Sequence, residues 1–198
     1  MSLSLLFLSA SLLLLGGLLI LVALMKRPQS PFLRTLKAAG VRPGEAVRLM
    51  AKGACWTRQD MLMTDREIQF LQGLLRTVDL TRWYLCPQVR VADIVQVSAR
   101  VPPRSKAWWG LFRMTSQWHC DVVIVERQSF RIAAVVELDD ATHQKAQRQR
   151  RDIVFGEVMR QADIPLLRSR DSRELQNKVR EFLAQLSDEH DAAGRHSS

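Results

Sequence analysis

The stretch Ile132-Ala-Ala-Val-Val-Glu-Leu-Asp-Asp-Ala-Thr-His143 joins a run of apolar residues directly to a cluster of polar ones. Its first five residues are apolar and rich in β-branched side chains, which predicts a strand that is covered on both faces. Glu137 and Asp139 stand two positions apart at the end of this strand, so their side chains project from the same face. Two carboxylates at the edge of an apolar core are costly unless a cation or a hydrogen-bond donor meets them.

The preceding segment, His119 to Glu126, predicts a neighbouring strand with Asp121 at its entry. Because the turn at 127–131 is short, the two strands should pair antiparallel, which brings Asp121 to the same edge as Glu137 and Asp139. Three carboxylates then lie within reach of one cation. The structural alternative to a metal ion is pairing with one of three arginines: Arg131, Arg151 or Arg168.

Hydrophobic periodicity and turn residues predict one α/β domain over residues 64–186. Thr64 and Glu67 have the spacing of a helix capping box, so Glu67 already has a structural role with which any catalytic role must compete. The order of elements, α-β-β-β-α-β-α, indicates an α/β fold on a mixed sheet. The predicted elements are a helix at 64–78, strands at 89–97, 119–126 and 132–139, a helix at 141–162, a strand at 163–168 and a helix at 171–186.

The N-terminal 25 residues contain no charged side chain, and Leu3 to Met25 is an apolar run broken only by Ser and Gly. As a helix of about 1.5 Å per residue, this run would reach roughly 34 Å, enough to cross a bilayer. A signal peptide would be shorter and would follow a basic segment. The charges of Lys26-Arg27 favour a cytoplasmic C-terminal side. The prediction is a single-pass anchor in the inner, cytoplasmic membrane, with the following domain in the cytoplasm.

Between the anchor and the α/β domain, residues 26–63 predict a basic juxtamembrane linker that contains short helices at 32–39 and 45–51. Its alternative role is to hold anionic lipid at the membrane surface. After the domain, residues 187–198 are polar and are expected to form a disordered tail.

Charge and cysteine content narrow the classes of partner. Lys+Arg 29 against Asp+Glu 20 gives a formal charge of +9, with an isoelectric point near 10.3, which favours an anionic partner. The three cysteines are far apart and form no Cys-x-x-Cys pair, so no zinc site is expected. Residues 98–118 interleave basic and aromatic residues, which suits unpaired nucleotides, although the aromatic rings could instead pack over the sheet or touch lipid.

Six short stretches of residues 64–168 carry a family resemblance: Thr-Asp-Arg-Glu67, Pro-Gln-Val-Arg-Val-Ala-Asp93, His-Cys-Asp121, Glu-Leu-Asp-Asp-Ala-Thr-His143, Arg-Arg-Asp152 and Ile-Pro-Leu-Leu-Arg168. With these stretches, the chain resembles the bacterial family called domain of unknown function 2726. More broadly, the acid at the entry of one strand and the acid-x-residue pair at the end of the next resemble the PD-(D/E)XK, or restriction-endonuclease-like, superfamily.

The resemblance implies a restriction-endonuclease-like mixed sheet with a divalent-metal phosphodiesterase site, and the transmembrane helix predicted from the apolar run would precede it. Mg²⁺ or Mn²⁺ would be held by oxygen ligands from three carboxylates: Asp121, Glu137 and Asp139. Glu67 would orient water and His143 would assist proton transfer. The phosphates of DNA would be contacted by Lys145, Arg148 and Arg151.

One position departs from the superfamily pattern, because Asp139 stands where that pattern has lysine. Lys145 or Arg148 would then have to supply the positive charge from the following helix. The leading hypothesis is a membrane-anchored, metal-dependent endonuclease that acts on DNA. The alternatives are a catalytically inactive nucleic-acid-binding module of the same fold and a scaffold associated with anionic lipid.

Overall fold

The computed structural model describes residues 15–18, 30–139 and 146–195. The described residues fall into two compact units, one that ends at Gln59 and one that begins at Asp60. The predicted anchor, Leu3 to Met25, lies outside the described residues except for 15–18, which are helical. No helix of the described part of the chain is long and apolar enough to cross a membrane.

The first unit contains two short helices, α1 (Pro31–Ala38) and α2 (Glu45–Met50). The side chain of Ser30 caps α1, and proline occupies its first turn, where the missing amide hydrogen costs nothing. Gly40 follows α1 with a φ of 72°, a conformation that favours glycine. These two helices agree with the pair expected at 32–39 and 45–51.

The second unit is an α/β domain in which four strands form one mixed sheet in the order β1-β2-β3-β4. The β1–β2 and β2–β3 pairs are antiparallel, and the β3–β4 pair is parallel. The predicted antiparallel hairpin and the predicted mixed sheet are therefore confirmed. The elements are α3 (Asp65–Thr77), β1 (Trp83–Arg90), α4 (Val91–Ile94), α5 (Lys106–Thr115), β2 (His119–Glu126), β3 (Ile132–Leu138), α6 (Ala146–Gln161), β4 (Leu166–Ser169) and α7 (Ser172–Arg195).

Two apolar clusters form the core on the two faces of the sheet. In the first, Phe70 of α3 and Leu175 of α7 pack against Ile124 of β2. In the second, Phe155 and Met159 of α6 pack against Val135 of β3 and its neighbours. Because both faces are covered, the central strands read as nearly continuous apolar runs in the sequence.

The N-terminal part of the domain differs from the prediction at two places. The first strand begins at Trp83 and ends at Arg90, and residues 91–94 form a short helix, so the strand expected at 89–97 is wrong. Within the expected connection at 98–118, residues 106–115 form α5, which Ser105 caps by accepting a hydrogen bond from the Trp108 amide at 3.1 Å. Aromatic residues and Gly110 lower the helix propensity of this segment, which hid the helix in the sequence.

The C-terminal part agrees more closely, with small shifts at the boundaries. Strand β4 spans Leu166–Ser169 inside and just beyond the expected range, and the described part of α6 begins at Ala146. Helix α7 continues through residues 187–195, which the sequence placed in a disordered tail. That segment has no proline to end the helix, so the helix that Leu183 anchors in the core continues through it.

Candidate active site

Asp121 of β2 and Glu137 of β3 lie at one edge of the sheet, and each carboxylate accepts a hydrogen bond from a backbone amide of the other strand. The backbone amide of Asp121 donates to Glu137 Oε1 at 3.1 Å, and the amide of Leu138 donates to Asp121 Oδ2 at 2.8 Å. The pair lies one position beyond the last paired residues of the two strands, Val122 and Val136. Each carboxylate is therefore held by the main chain of the other strand, which fixes their separation through the sheet.

Burial makes this acidic pair costly to ionise. It raises the pKa of Glu137 to about 8, with the nearby Asp121 carboxylate adding to the shift. Burial also raises the pKa of Asp121 to about 6, while the hydrogen bond from Leu138 opposes that shift and the charges of Glu67 and Asp139 reinforce it. Two carboxylates with raised pKa values at one edge are the arrangement that a cation would stabilise.

Asp139, the third predicted acid, is engaged by Arg168. Its Oδ1 accepts hydrogen bonds from Arg168 Nη2 at 2.5 Å and from Nε at 3.2 Å. Arg168 also lies 3.5 Å from Asp152 Oδ1 and donates to the Asp152 carbonyl at 3.3 Å. Since Arg168 on β4 is in register with Glu137 on β3, this ion pair places one guanidinium beside the acidic pair.

Glu67, the predicted helical acid, lies at the first turn of α3 and completes the expected capping box. Its Oε2 accepts hydrogen bonds from the amide and hydroxyl of Thr64, both at 2.7 Å. Its Oε1 lies 3.5 Å from the side-chain amide of Gln88, and its charge raises the pKa of Asp121. Glu67 therefore serves the helix and also contributes to the field at the site.

Two residues that the sequence did not single out contribute to this edge. Gln88 lies in β1 with a left-handed backbone, φ 53°, and directs its side-chain amide towards Glu67. Arg66 donates from Nη1 to the Asp139 carbonyl at 3.0 Å and from Nη2 to the Arg170 carbonyl at 2.7 Å. Arg66 thereby ties the ends of β3 and β4 to the first turn of α3.

The structure describes the three predicted phosphate-binding residues, Lys145, Arg148 and Arg151, to different extents. The charge of Arg151 on α6 lowers the pKa of both Asp121 and Glu137, so this side chain acts on the acidic pair. For Arg148 only the backbone, in α6, is described, and His143 and Lys145 lie outside the described residues. Of the three arginines considered as ion-pair partners, Arg168 is the one that contacts a predicted site acid, Asp139.

The donor chemistry of the site fits a hard divalent cation. In the described ranges, no group of three or more His, Cys, Asp or Glu side chains is arranged to hold a metal ion. Asp121 and Glu137 nevertheless offer two oxygen ligands from one edge, and Mg²⁺ is commonly bound by one or two carboxylates while water and substrate phosphate supply the rest. The pair is thus compatible with a metal that becomes fully coordinated with substrate.

A family model described as "Protein of unknown function (DUF2726)" matches residues 59–186. The chain belongs to the DUF2726 family. The matched range covers most of the second unit, and every described element of the acidic edge lies within it. No curated protein and no solved structure matches this DUF2726 chain.

Proposed function

We propose that this DUF2726 protein is a nuclease of the PD-(D/E)XK type that hydrolyses phosphodiester bonds of DNA with Mg²⁺ or Mn²⁺. The observation that carries the proposal is a pair of backbone hydrogen bonds, from the Asp121 amide to Glu137 and from the Leu138 amide to Asp121, which holds two carboxylates of raised pKa at one sheet edge. A structural ion pair would have a cation bonded to these acids. At this edge Arg168 is instead bonded to Asp139, Arg66 to two backbone carbonyl groups, and Arg151 acts on the pair through its charge.

In the proposed reaction, Asp121 and Glu137 hold the divalent ion. When bound, such an ion would polarise the scissile phosphate and lower the pKa of an attacking water. Glu67 orients that water from the helix side, with Thr64 holding one oxygen of its carboxylate and the Gln88 side-chain amide 3.5 Å from the other. His143 remains a predicted proton donor to the leaving oxygen, and Lys145, Arg148 and Arg151 remain predicted phosphate contacts.

In this proposal, Arg168 supplies the positive charge that the superfamily pattern places at position 139, where this chain has aspartate. A phosphodiester gains negative charge on its oxygens as it is attacked, and a fixed guanidinium in a partly buried site stabilises that charge. Asp139 was predicted as a third metal ligand, but its Oδ1 accepts from Arg168, so its role in this proposal is to position the guanidinium. The charge therefore comes from β4, whereas Lys145 or Arg148 of the following helix was expected to supply it.

The test uses the full chain in phosphatidylcholine nanodiscs, with supercoiled plasmid and single-stranded DNA as substrates and Mg²⁺ or Mn²⁺ added. Glu137→Gln and Asp121→Asn keep an acceptor for each backbone amide but remove the charge, so both should fold and lose cleavage by at least about 100-fold. Glu157→Gln is the matched control, because Glu157 is an exposed glutamate of α6 that pairs with Arg160. Equal cleavage by the wild type and the two site variants would refute the proposal.

A second candidate function is a catalytically inactive nucleic-acid-binding module, favoured by the aspartate at position 139. It predicts that affinity for DNA falls steeply with salt, that no metal supports cleavage, and that Glu137→Gln binds as the wild type does. Calorimetry with Mn²⁺ distinguishes the two functions before any cleavage assay. Only the nuclease requires that Mn²⁺ bind the wild type and that this binding be lost in Glu137→Gln.

The proposed place of action is the cytoplasmic face of the inner membrane, with Leu3 to Met25 as a single-pass anchor. The apolar length of this segment and the following Lys26-Arg27 support that placement. Tethering would confine the activity to DNA close to the envelope. Protease added to intact spheroplasts should leave residues 60–198 uncut, whereas protease added to inverted vesicles should remove them.

A further inference from the structure

An apolar cavity of about 330 Å³ lies between α5, the segment after α4 and the C-terminal half of α6. Val95, Val101, Trp108, Phe112, Val158 and Gln161 are among the residues that line it. Its volume is at the lower end of the range of about 300–1,000 Å³ that is typical of small-molecule sites. The cavity is separate from the acidic edge and takes no part in the chemistry proposed there.

The wall on the α5 side is an aromatic platform. The rings of Trp108 and Phe112 are stacked, with an interplanar angle of 10° and centroids 5.3 Å apart, and Trp109 meets both edge-on. Trp109 remains 44% exposed. Flat aromatic faces beside an open cavity are the surfaces on which unpaired bases stack, without regard to base identity.

The segment that contributes the α5 wall of this cavity is basic, which favours a polyanion over a neutral ligand. Residues 98–118 contain four basic residues and no acidic one, namely Arg100, Arg104, Lys106 and Arg113. None of the four forms an ion pair with a carboxylate of the described residues. By contrast, Arg160 on α6 is paired with Glu157. Basic residues interleaved in sequence with an aromatic platform suit a strand whose phosphates contact the cations while a base enters the cavity.

Helix α6 connects the cavity to the acidic edge. Val158 and Gln161 line the cavity, and Arg151 of the same helix acts on Asp121 and Glu137. A separation of seven to ten helical residues corresponds to about 10–15 Å at about 1.5 Å per residue. At the roughly 3.4 Å spacing of stacked nucleotides, that distance is about three to four nucleotides.

We propose that this cavity binds an unpaired nucleobase of single-stranded nucleic acid, with Trp108 as the stacking surface and Arg100, Arg104, Lys106 and Arg113 on the phosphates. The inference rests on the proposed action on nucleic acid and specifies the substrate as a strand with unpaired bases a few nucleotides from the bond that is cut. It also gives a function to the aromatic and basic residues of the 98–118 segment.

The test measures binding of a fluorescent oligo-dT and of a blunt duplex by anisotropy, with the full chain in phosphatidylcholine nanodiscs and EDTA present. Trp108→Ala should weaken oligo-dT binding by on the order of 5- to 150-fold, and Trp108→Phe should restore most of it. Duplex affinity should change little. Trp56→Ala is the control, because Trp56 is 78% exposed and belongs to the other unit.

A second variant avoids any change to the cavity wall. Replacing Arg100 and Arg104 by Gln alters two exposed side chains, so the fold should be unaffected. The slope of log affinity against log salt for oligo-dT should become shallower by about 1.4, since each lost phosphate contact accounts for about 0.7 on single strands. An unchanged slope would count against phosphate contacts at this rim.

The outcomes separate this inference from the nuclease proposal. Oligo-dT binding that is absent, or equal in the wild type and Trp108→Ala, overturns the nucleobase site, whereas metal-dependent cleavage of duplex would still support the nuclease. Loss of cleavage in Glu137→Gln with oligo-dT binding retained supports both. If phosphatidylserine in the disc abolishes oligo-dT binding by the wild type, lipid competes for the cavity and the proposal is overturned.

Discussion

Asp139 holds the guanidinium of Arg168 through a single oxygen, Oδ1, at 2.5 Å from Nη2 and 3.2 Å from Nε. Both side chains are largely shielded, with exposed fractions of 29% for Asp139 and 24% for Arg168. An ion pair of this kind resists screening by salt better than a surface pair does. It also fixes a positive charge beside two acids whose pKa values are raised by burial.

Arg168→Gln should destabilise the domain, because Asp139 would then be left partly buried without its partner. The expected loss is about 1–3 kcal/mol in the free energy of unfolding, measured by urea denaturation near neutral pH. Arg160→Gln is the matched control, since it breaks another arginine–carboxylate pair in which Arg160 is 72% exposed. That control should unfold as the wild type does, and an equal loss in both variants would contradict the assigned role of Arg168.

The stability of the metal-free protein should fall as pH rises through the neutral range. Burial raises the pKa of Glu137 from 4.5 to about 8, so between these values the folded state retains a proton that the unfolded state has released. The stabilisation is thus complete below about 4.5 and is lost as pH rises through about 8. Burial shifts the pKa of Asp121 in the same direction, to about 6.

Glu137→Gln isolates this effect, because glutamine can still accept the Asp121 amide hydrogen but does not titrate. Melting temperatures recorded in EDTA from pH 5.5 to 8.5 should decline by several degrees more for the wild type than for Glu137→Gln. Glu157→Gln should retain the wild-type decline. If the melting temperatures of the wild type and Glu137→Gln decline equally with pH, ionisation of Glu137 does not destabilise the folded state as its raised pKa predicts.

A divalent ion should restore the stability that the ionised pair loses. At pH 8 and at about 100 times its dissociation constant, Mn²⁺ should stabilise the wild type by about 2.7 kcal/mol, and EDTA should reverse the gain. Asp121→Asn and Glu137→Gln should show little response, whereas Asp93→Asn, at an exposed pair with Arg90, should respond fully. A shift of equal size in all four proteins would indicate nonspecific binding.

Glu67 has two roles that substitutions can separate. Glu67→Gln should preserve the capping box, since glutamine also serves at that position, and should leave stability nearly unchanged. Glu67→Ala should lose the cap and cost about 0.5–1.5 kcal/mol. If Glu67 orients the attacking water, both variants should reduce cleavage by at least about tenfold. Asp65→Asn, in the same helical turn but outside the capping box, is the control for both measurements.

Local sequence patterns were sufficient to predict the hairpin that carries the acids. Strands β2 and β3 are apolar runs joined by a short turn, so their antiparallel pairing and the shared edge of Asp121 and Glu137 follow from neighbouring residues alone. The parallel strand β4 was also expected. Arg168 was one of three arginines considered as partners of the acids, but the sequence could not select it, because its bond to Asp139 spans 29 positions of the chain and leaves no periodic signal.

The parts that were missed depend on backbone geometry or on distant contacts. Gln88 reaches the site through a left-handed backbone with a φ of 53°. Few non-glycine residues adopt this conformation, and no neighbouring glycine in the sequence indicates it. Arg66 binds backbone carbonyl groups. Because every residue has such a group, the sequence does not indicate which residues Arg66 contacts. Helix α5 was not predicted because its aromatic residues have weak helix propensity, although Ser105 at its cap is a signal for the start of a helix.

The two carbonyl groups bound by Arg66 lie 73 and 104 positions along the chain from it. Contacts of such long sequence separation form late, because a large loop must close before they contribute. A chain emerging from the ribosome therefore carries Asp121 and Glu137 well before β4 arrives with Arg168. Arg168 is added beside the acidic pair only when the sheet is completed, so fragments that end before β4 would contain the acids without the Arg168–Asp139 ion pair.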